Sequence, residues 1–136
     1  MYDLAEKIIE LRLATRRACM CEGVEGAKKN TLSLKTKVLF LIDKACTPKE
    51  IISAMRIAKT NLALITKEMA DEGLIEKSKG NLDRREVTYS ITQKGKEYLN
   101  LRLRSVENDL TEKFVSDEQY LEAIDTVIRA ITLLGE

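Results

Sequence analysis

The residues best suited to chemistry lie between positions 59 and 69, on a predicted helix. Steps of about 100° per residue place Leu62, Ile65 and Met69 on one side of that helix and a mixed face on the other. The mixed face and its flanks carry Lys59, Thr60, Asn61, Ala63, Leu64 and Lys67. Amide, hydroxyl, apolar and cationic groups on one helix face suit the base edges and phosphates of a DNA major groove.

The side chains of this face have different expected partners. Asn61 can form paired hydrogen bonds with adenine, and Leu64 can contact a thymine methyl group. Thr60 suits a base or a phosphate, whereas Lys59 and Lys67 suit phosphates. The alternative is that Thr60 and Asn61 only cap the helix and that Leu64 packs beneath a neighbouring side chain.

This face belongs to the second helix of a predicted pair joined by a tight turn. Thr47 and Glu50 form a capping box with Pro48 at the first helical position, which predicts a short first helix. Thr47 and Lys49, at its start beside free backbone amides, are candidates for phosphate contact. The second helix closes at Gly73, a typical C-cap residue.

Four further helices are predicted from apolar periodicity and end signals. They cover residues 3–20, residues 33–44, a long segment capped by Thr92, and a last segment that opens with a second capping box, Ser116 with Gln119. The long helix has a narrow apolar stripe, formed by Leu99, Leu103, Val106, Leu110 and Phe114, and the last has a broad apolar face, formed by Tyr120, Leu121, Ile124, Val127, Ile128, Ile131 and Leu134. Such faces require partner helices.

Beyond the helix that closes at Gly73, apolar residues recur at every second position and no longer at the helical spacing of about 3.6 residues. Residues 74–79 are predicted to form one strand, and Val87, Tyr89 and Ile91 alternate with polar residues on the next. Residues 80–81 supply the turn between them. The order helix, helix, helix, hairpin predicts a winged helix-turn-helix, a mainly α fold with a small two-stranded β-wing.

Three segments, in order, resemble the MarR family of transcriptional regulators over about residues 31–100. Residues 70–77 (ADEGLIEK) resemble the exit from that family's recognition helix, residues 83–85 (DRR) its wing motif, and residues 91–95 (ITQKG) the start of its next helix. The spacing between them requires no gaps. The resemblance implies that residues 31–91 are a DNA-binding lobe.

The resemblance also implies roles for the wing. Asp83 can brace one of Arg84 and Arg85 in a two-pronged ion pair while the other reaches a narrow minor groove, and the assignment of the two arginines stays open. Lys79 and Asn81 are further wing candidates. The alternative is a solvated hairpin whose charges only aid solubility.

A homodimer is implied as well, since the family dimerises through its N- and C-terminal helices. Here those are residues 3–20 and 92–136 of a single domain, residues 1–136. Two recognition helices read two half-sites, which predicts a pseudo-palindromic double-stranded DNA operator, and repression is the family habit. Family members often bind a small molecule between the dimer arms and the DNA-binding lobe, so an effector is a candidate partner that no residue here identifies.

The distribution of charge supports a nucleic-acid partner. The net charge is +1, but residues 44–104 carry thirteen Lys or Arg against eight Asp or Glu, a net +5, and the remainder carries −4. A basic middle between acidic ends suits DNA. A winged helix used for protein contacts, the alternative, would instead favour an acidic face.

Several classes of protein are excluded by what the sequence lacks. With no histidine and no phosphate-binding glycine loop, an enzyme is not expected, nor is a cofactor or a metal. The longest apolar run, residues 38–42, is too short for a membrane helix, so a cytoplasmic protein is expected. A thiol- or metal-responsive sensor using Cys19 and Cys21 is an alternative, although their spacing points the thiols apart and Cys19 and Cys46 suit buried positions.

Overall fold

The structure is a computed structural model, and it describes residues 2–18, 20–22, 28–30, 32–79 and 86–135, with side chains over residues 2–15, 32–79 and 86–135. The chain divides into two compact units. One is the winged unit, Asn30–Arg104, and the other is the terminal unit, Met1–Lys29 with Ser105–Glu136. None of the described helices combines the length and apolarity needed to cross a bilayer.

The predicted mainly helical fold with a two-stranded wing is confirmed. In chain order the described elements are α1 (Asp3–Ala18), β1 (Met20–Glu22), β2 (Lys28–Asn30), α2 (Leu34–Asp43), α3 (Pro48–Met55), α4 (Lys59–Asp71), β3 (Ile75–Lys79), β4 (Val87–Ile91), α5 (Gln93–Thr111) and α6 (Asp117–Leu134). Strand β1 pairs with β2, and β3 pairs with β4.

The end of the first helix differs from the prediction. A helix is expected over residues 3–20, but α1 ends at Ala18 and Met20 already belongs to β1. Residues 28–30, for which the sequence predicts neither helix nor strand, form β2. Strands of three residues are too short for an alternating apolar pattern, so periodicity gave no signal for this sheet. Cys19 and residues 23–27 lie outside the described residues.

The core of the winged unit is built from helices α2 to α5 and the start of the wing. Its buried apolar side chains are Val38, Leu39, Ile42, Ile51, Leu62, Met69, Leu74, Ile75 and Leu99. In helix α2, Thr36 and Leu39 are buried as well as Val38 and Ile42. The buried Thr36 hydroxyl is satisfied by that of Ser33, 3.1 Å away.

The predicted caps around α3 are confirmed. The Thr47 hydroxyl accepts from the Glu50 amide at 3.2 Å, and the Glu50 carboxylate accepts from the Thr47 amide at 3.3 Å. Pro48 occupies the first helical turn, and Arg56 ends the helix in the left-handed region with φ of 52°. These end signals fix the short connection from α3 into α4.

The wing strands are antiparallel, and their register pairs Ile75 with Ile91 and Lys79 with Val87. In β4 the predicted alternation is confirmed: Val87, Tyr89 and Ile91 are half-buried, and the residues between them are exposed. Strand β3 begins one residue later than predicted, at Ile75.

In the terminal unit, the second capping box is only half formed. The Ser116 hydroxyl accepts from the Gln119 amide at 3.3 Å, but the Gln119 side chain accepts from the amide of Val115, not from that of Ser116. Helix α5 ends at Thr111, so Phe114 lies beyond it, and its ring packs edge-on against Tyr120. The Tyr120 hydroxyl donates to Glu107.

Candidate nucleic-acid interface

Helix α4 has one buried side and one exposed side. Leu62, Thr66 and Met69 are buried at 3%, 2% and 0% exposure. The predicted contact residues Lys59, Thr60, Asn61, Ala63, Leu64 and Lys67 are all exposed. The helix is therefore held by its apolar stripe, and its mixed face is open to a partner.

The start of α4 tests the alternative that Thr60 and Asn61 only cap the helix. Ala58 is the N-cap residue, and no side chain makes a cap hydrogen bond there. Leu64 is 68% exposed, so it does not pack beneath a neighbour. Neither helix capping nor packing within the chain thus accounts for the presence of Thr60, Asn61 and Leu64 on this face.

The wing is described only in part. Lys79 ends β3 with an exposed side chain, beside Val87 of the paired strand. Asn81, Asp83, Arg84 and Arg85 lie outside the described residues.

The start of α3 lies close to α4 and β4. Thr47 and Lys49 are both exposed, and with Lys59 and Tyr89 they line a groove of about 740 Å³ within the winged unit. The backbone amides of Thr47 and Glu50 are bonded within the capping box. The expectation of free amides beside Lys49 is therefore wrong for these two, because the cap itself uses them.

A hydrogen bond that the sequence did not indicate joins α4 to the wing. The buried Thr66 hydroxyl bonds to the Leu62 carbonyl at 2.8 Å and lies 3.2 Å from the Tyr89 hydroxyl of β4. Thr66 also belongs to the side of α4 predicted as apolar. The polar atom is tolerated because it has partners.

The other end of α4 is held by charged groups. The Lys35 ammonium, on α2, lies 2.7 and 2.8 Å from the two carboxylate oxygens of Glu72. This hydrogen bond is the main cause that lowers the pKa of Glu72 below its ordinary value of 4.5. Lys35 also lies over the ring of Tyr98, 5.4 Å from its centre.

The residues around Thr92 contact the same end of α4. The Thr92 hydroxyl donates to the Gly73 carbonyl at 2.6 Å, and the Lys94 ammonium donates to the Glu72 carbonyl at 2.9 Å. Gly73 has φ of 78°, in the left-handed region expected of a C-cap glycine.

Comparison with known families agrees with this architecture. Residues 35–87 match the model of the MarR family. This segment of the chain is similar to a MarR-family domain. The matched segment runs from α2 to the first residue of β4, so it contains the whole exposed face of α4.

Solved structures share the MarR-family fold over nearly the whole chain. A mutant of MarR from E. coli is 16% identical, with a TM-score of 0.69 over 95% of this chain and 96% of that one. The transcriptional regulator BldR from Sulfolobus solfataricus is 18% identical, with a TM-score of 0.61 over 95% and 94%. BpsR from Bordetella bronchiseptica, whose DNA binding is regulated by 6-hydroxynicotinic acid, is 14% identical, with a TM-score of 0.62 over 96% and 98%. A comparison with curated protein sequences gives no significant match.

The metal and thiol alternatives concern cysteines that the structure describes only in part. Within the described residues, no group of three or more Cys, Asp or Glu side chains is placed to hold a metal ion. Cys46 is a half-buried free thiol packed against the core. The side chains of Cys19 and Cys21 lie outside the described residues.

Proposed function

We propose that this protein is a sequence-specific transcriptional regulator that binds double-stranded DNA, with α4 as its recognition helix. The observation that carries the proposal is the exposed face of α4, where Thr60, Asn61 and Leu64 project from a helix whose opposite side is in the core. Base edges in the major groove present the hydrogen-bonding and methyl groups that such side chains recognise.

Flanking groups supply the phosphate contacts of this proposal. Lys59 and Lys67 lie beside the recognition face, and Thr47 and Lys49 lie at the start of α3. In the wing, the proposed contacts are Lys79, Asn81, Asp83, Arg84 and Arg85. Phosphate contacts set the position of the helix on the duplex, and base contacts set the sequence.

The regulator acts as a homodimer, with residues 3–20 and 92–136 as dimerisation helices of a single domain. Supporting this, no residue of α6 is buried, and Leu121 and Ile131 are 60% and 64% exposed. In α1, Leu4 is 65% exposed. Apolar surface on this scale marks an interface between proteins. Two-fold symmetry then calls for a pseudo-palindromic operator.

We further infer that the protein is a cytoplasmic repressor without catalytic activity, and that a small ligand can release it from DNA. Family habit supports repression, and the regulation of BpsR by an aromatic acid supports a ligand. A ligand releases DNA only if it binds better to the dimer geometry that misplaces the two recognition helices.

The test is fluorescence anisotropy of the purified protein with a duplex from its own upstream region and an unrelated duplex of equal length, across a salt series. Tight binding of two chains to the first duplex only is expected. Asn61→Ala should weaken that binding by about tenfold. Asn100→Ala, which truncates an exposed asparagine of α5, is the matched control and should not change it.

The contrary outcomes separate the alternatives. Equal binding to both duplexes that salt abolishes would reject sequence-specific recognition of that region. Absence of binding at low salt would favour the winged helix as a protein-contact module. Binding that depends on a reductant, and that is lost in Cys19→Ser with Cys21→Ser, would favour the thiol sensor.

A further inference from the structure

We propose that Thr92 and Lys94 are positioning residues that fix the C-terminal end of the recognition helix to the first turn of α5, so that α4 keeps one direction relative to α5. This inference rests on the proposed function of α4. Thr92 and Lys94 lie outside the recognition face. By holding α4 in place, they make the dimer discriminate between duplexes whose two half-sites are differently spaced.

The first step is the satisfaction of three successive backbone carbonyls. The last carbonyls of α4 itself, those of Glu68, Met69 and Ala70, accept from the backbone amides of the turn that ends the helix. Here the carbonyl of Glu72 accepts from the Lys94 ammonium, that of Gly73 from the Thr92 hydroxyl, and that of Leu74 from the Thr92 amide at 3.0 Å. The donors belong to Thr92, the residue before α5, and to Lys94 in its first turn, so the turn that follows α4 has its polar partners there.

The second step is that Thr92 serves both helices. Its hydroxyl donates to Gly73 and also accepts from the Gly95 amide at 3.0 Å, which caps the first turn of α5. One oxygen atom thus holds the turn that follows α4 and caps the start of α5. A rotation of either helix end must break or bend one of these two hydrogen bonds.

The third step is the close backbone approach at Gly95. A Cβ atom added there would lie 2.1 Å from the Leu74 carbonyl oxygen and 2.7 Å from the Ile91 side chain. Gly95 is buried, so no side chain or solvent layer separates the two segments. The hydrogen bonds therefore act across a contact with little room for movement.

The fourth step is a second attachment from α2. Lys35 pairs with the Glu72 carboxylate, and the Tyr98 ring of α5 is contacted by Lys35 and Arg102, whose charged groups lie 5.4 and 5.1 Å from its centre. The Lys35 side chain is 24% exposed. The exit of α4 is thus linked to α2 and α5 together.

A small tilt of α4 at this end produces a large displacement of the residues proposed to face DNA. At 1.5 Å per residue, Asn61 lies about 16 Å along α4 from Glu72. A tilt of about 5° at the exit would displace Asn61 by about 1.4 Å, which exceeds the tolerance of a hydrogen bond. No side-chain cap restrains the Asn61 end.

The experiment compares Lys94→Met with Lys96→Met. Both remove one exposed positive charge from the start of α5, but only Lys94 has a described bond to α4. The probes are a duplex selected from a random library by the wild-type protein, and the same duplex with one base pair added or removed at its centre. Affinities are measured by anisotropy at one salt concentration.

We expect the wild type and Lys96→Met to bind the altered duplexes about tenfold more weakly than the selected one, because both half-sites must be in register. Lys94→Met should bind the selected duplex about three- to tenfold more weakly, and its discrimination between spacings should fall to about threefold. Lys94→Arg, which keeps a donor, should restore most of the discrimination.

Two results would overturn the proposal. One is unchanged discrimination in Lys94→Met, and the other is an equal loss on all three duplexes, which a merely destabilised protein would give. A wild-type protein that selects no sequence would instead refute the proposed function and this role with it. That case is distinguishable because the wild type and both methionine variants would fail together.

Discussion

The hydroxyl of Thr66, on the buried side of α4, lies 3.2 Å from the hydroxyl of Tyr89 in the second strand of the wing. This hydrogen bond connects two elements that the proposed function brings to adjacent grooves of one duplex. Thr66 keeps a second partner in the Leu62 carbonyl, so the bond to Tyr89 can be removed without orphaning a buried group.

Tyr89→Phe should therefore reduce stability only modestly. We expect a loss of about 1 kcal/mol in the free energy of unfolding, measured by urea denaturation. Tyr98→Phe is the control, because no hydrogen bond of its hydroxyl is described and its ring is kept. Equal losses in the two variants would contradict a specific contribution from the Thr66–Tyr89 bond.

The ion pair between Lys35 and Glu72 should make stability depend on pH. The pKa of Glu72 is lowered in the folded protein, so its contribution is fully present above the ordinary value of 4.5 and is lost as the pH falls through the folded pKa. The excess stability of the wild type over Glu72→Gln should shrink in acid, as measured by urea denaturation between pH 7 and pH 3. Glu97→Gln, at an exposed position of α5, is the control. A difference that is constant with pH would argue against the ion pair.

Two glycines near the exit of α4 should tolerate alanine to different degrees. Gly95→Ala places a Cβ atom 2.1 Å from a backbone oxygen, and we expect a loss of about 3 kcal/mol or more. Gly73→Ala meets only the Lys94 side chain at 3.8 Å, but it must adopt a φ of 78°, for a cost of about 1 to 2 kcal/mol. Thermal unfolding of both variants checks the order, and the reverse order would contradict the close approach at Gly95.

Leu64 is expected to contact the methyl group of a thymine in each half-site. In a duplex selected by the wild type, each thymine is replaced in turn by uracil, which removes only that methyl. One replacement per half-site should weaken binding of the wild type by about two- to fivefold, and Leu64→Ala should be insensitive to it. If no position distinguishes the two proteins, Leu64 does not contact a thymine methyl.

The exposed face of α6 should hold the dimer together. Ile131→Glu places a charge on a residue that is 64% exposed in the single chain, and we expect it to convert a dimer into monomers in light scattering after size exclusion. Thr132→Glu, on a neighbouring exposed position, tests whether charge alone has this effect. A dimer that persists in Ile131→Glu with its helical content intact would place the interface elsewhere.

Local signals in the sequence predicted much of this structure. The cap from Thr47 to Glu50 and the alternation of Val87, Tyr89 and Ile91 depend on residues within a few positions of each other, so spacing alone reveals them. For the same reason the buried and exposed sides of α4 were predicted correctly around Leu62 and Met69.

What the sequence did not reveal depends on distant partners. Lys35 and Glu72 are 37 residues apart, and nothing in either local pattern indicates that they pair. Thr66 is polar on a buried face because its hydroxyl reaches a helix carbonyl and Tyr89, a contact that only the packed wing creates. Gln119 fits a capping box by spacing, but its side chain reaches one residue further back, to Val115.

The shared hydroxyl of Thr92 limits which residues around α4 can be exchanged to test the proposed recognition role. Residues 59–67 can be exchanged for those of another recognition helix without touching a bond to the start of α5. The acceptors of Thr92 and Lys94 in residues 72–74 are backbone carbonyls that any sequence supplies, but their direction depends on the φ of 78° at Gly73, so a graft through this turn must keep a glycine there. The natural unit of exchange is therefore residues 59–67, which end before the turn at Gly73.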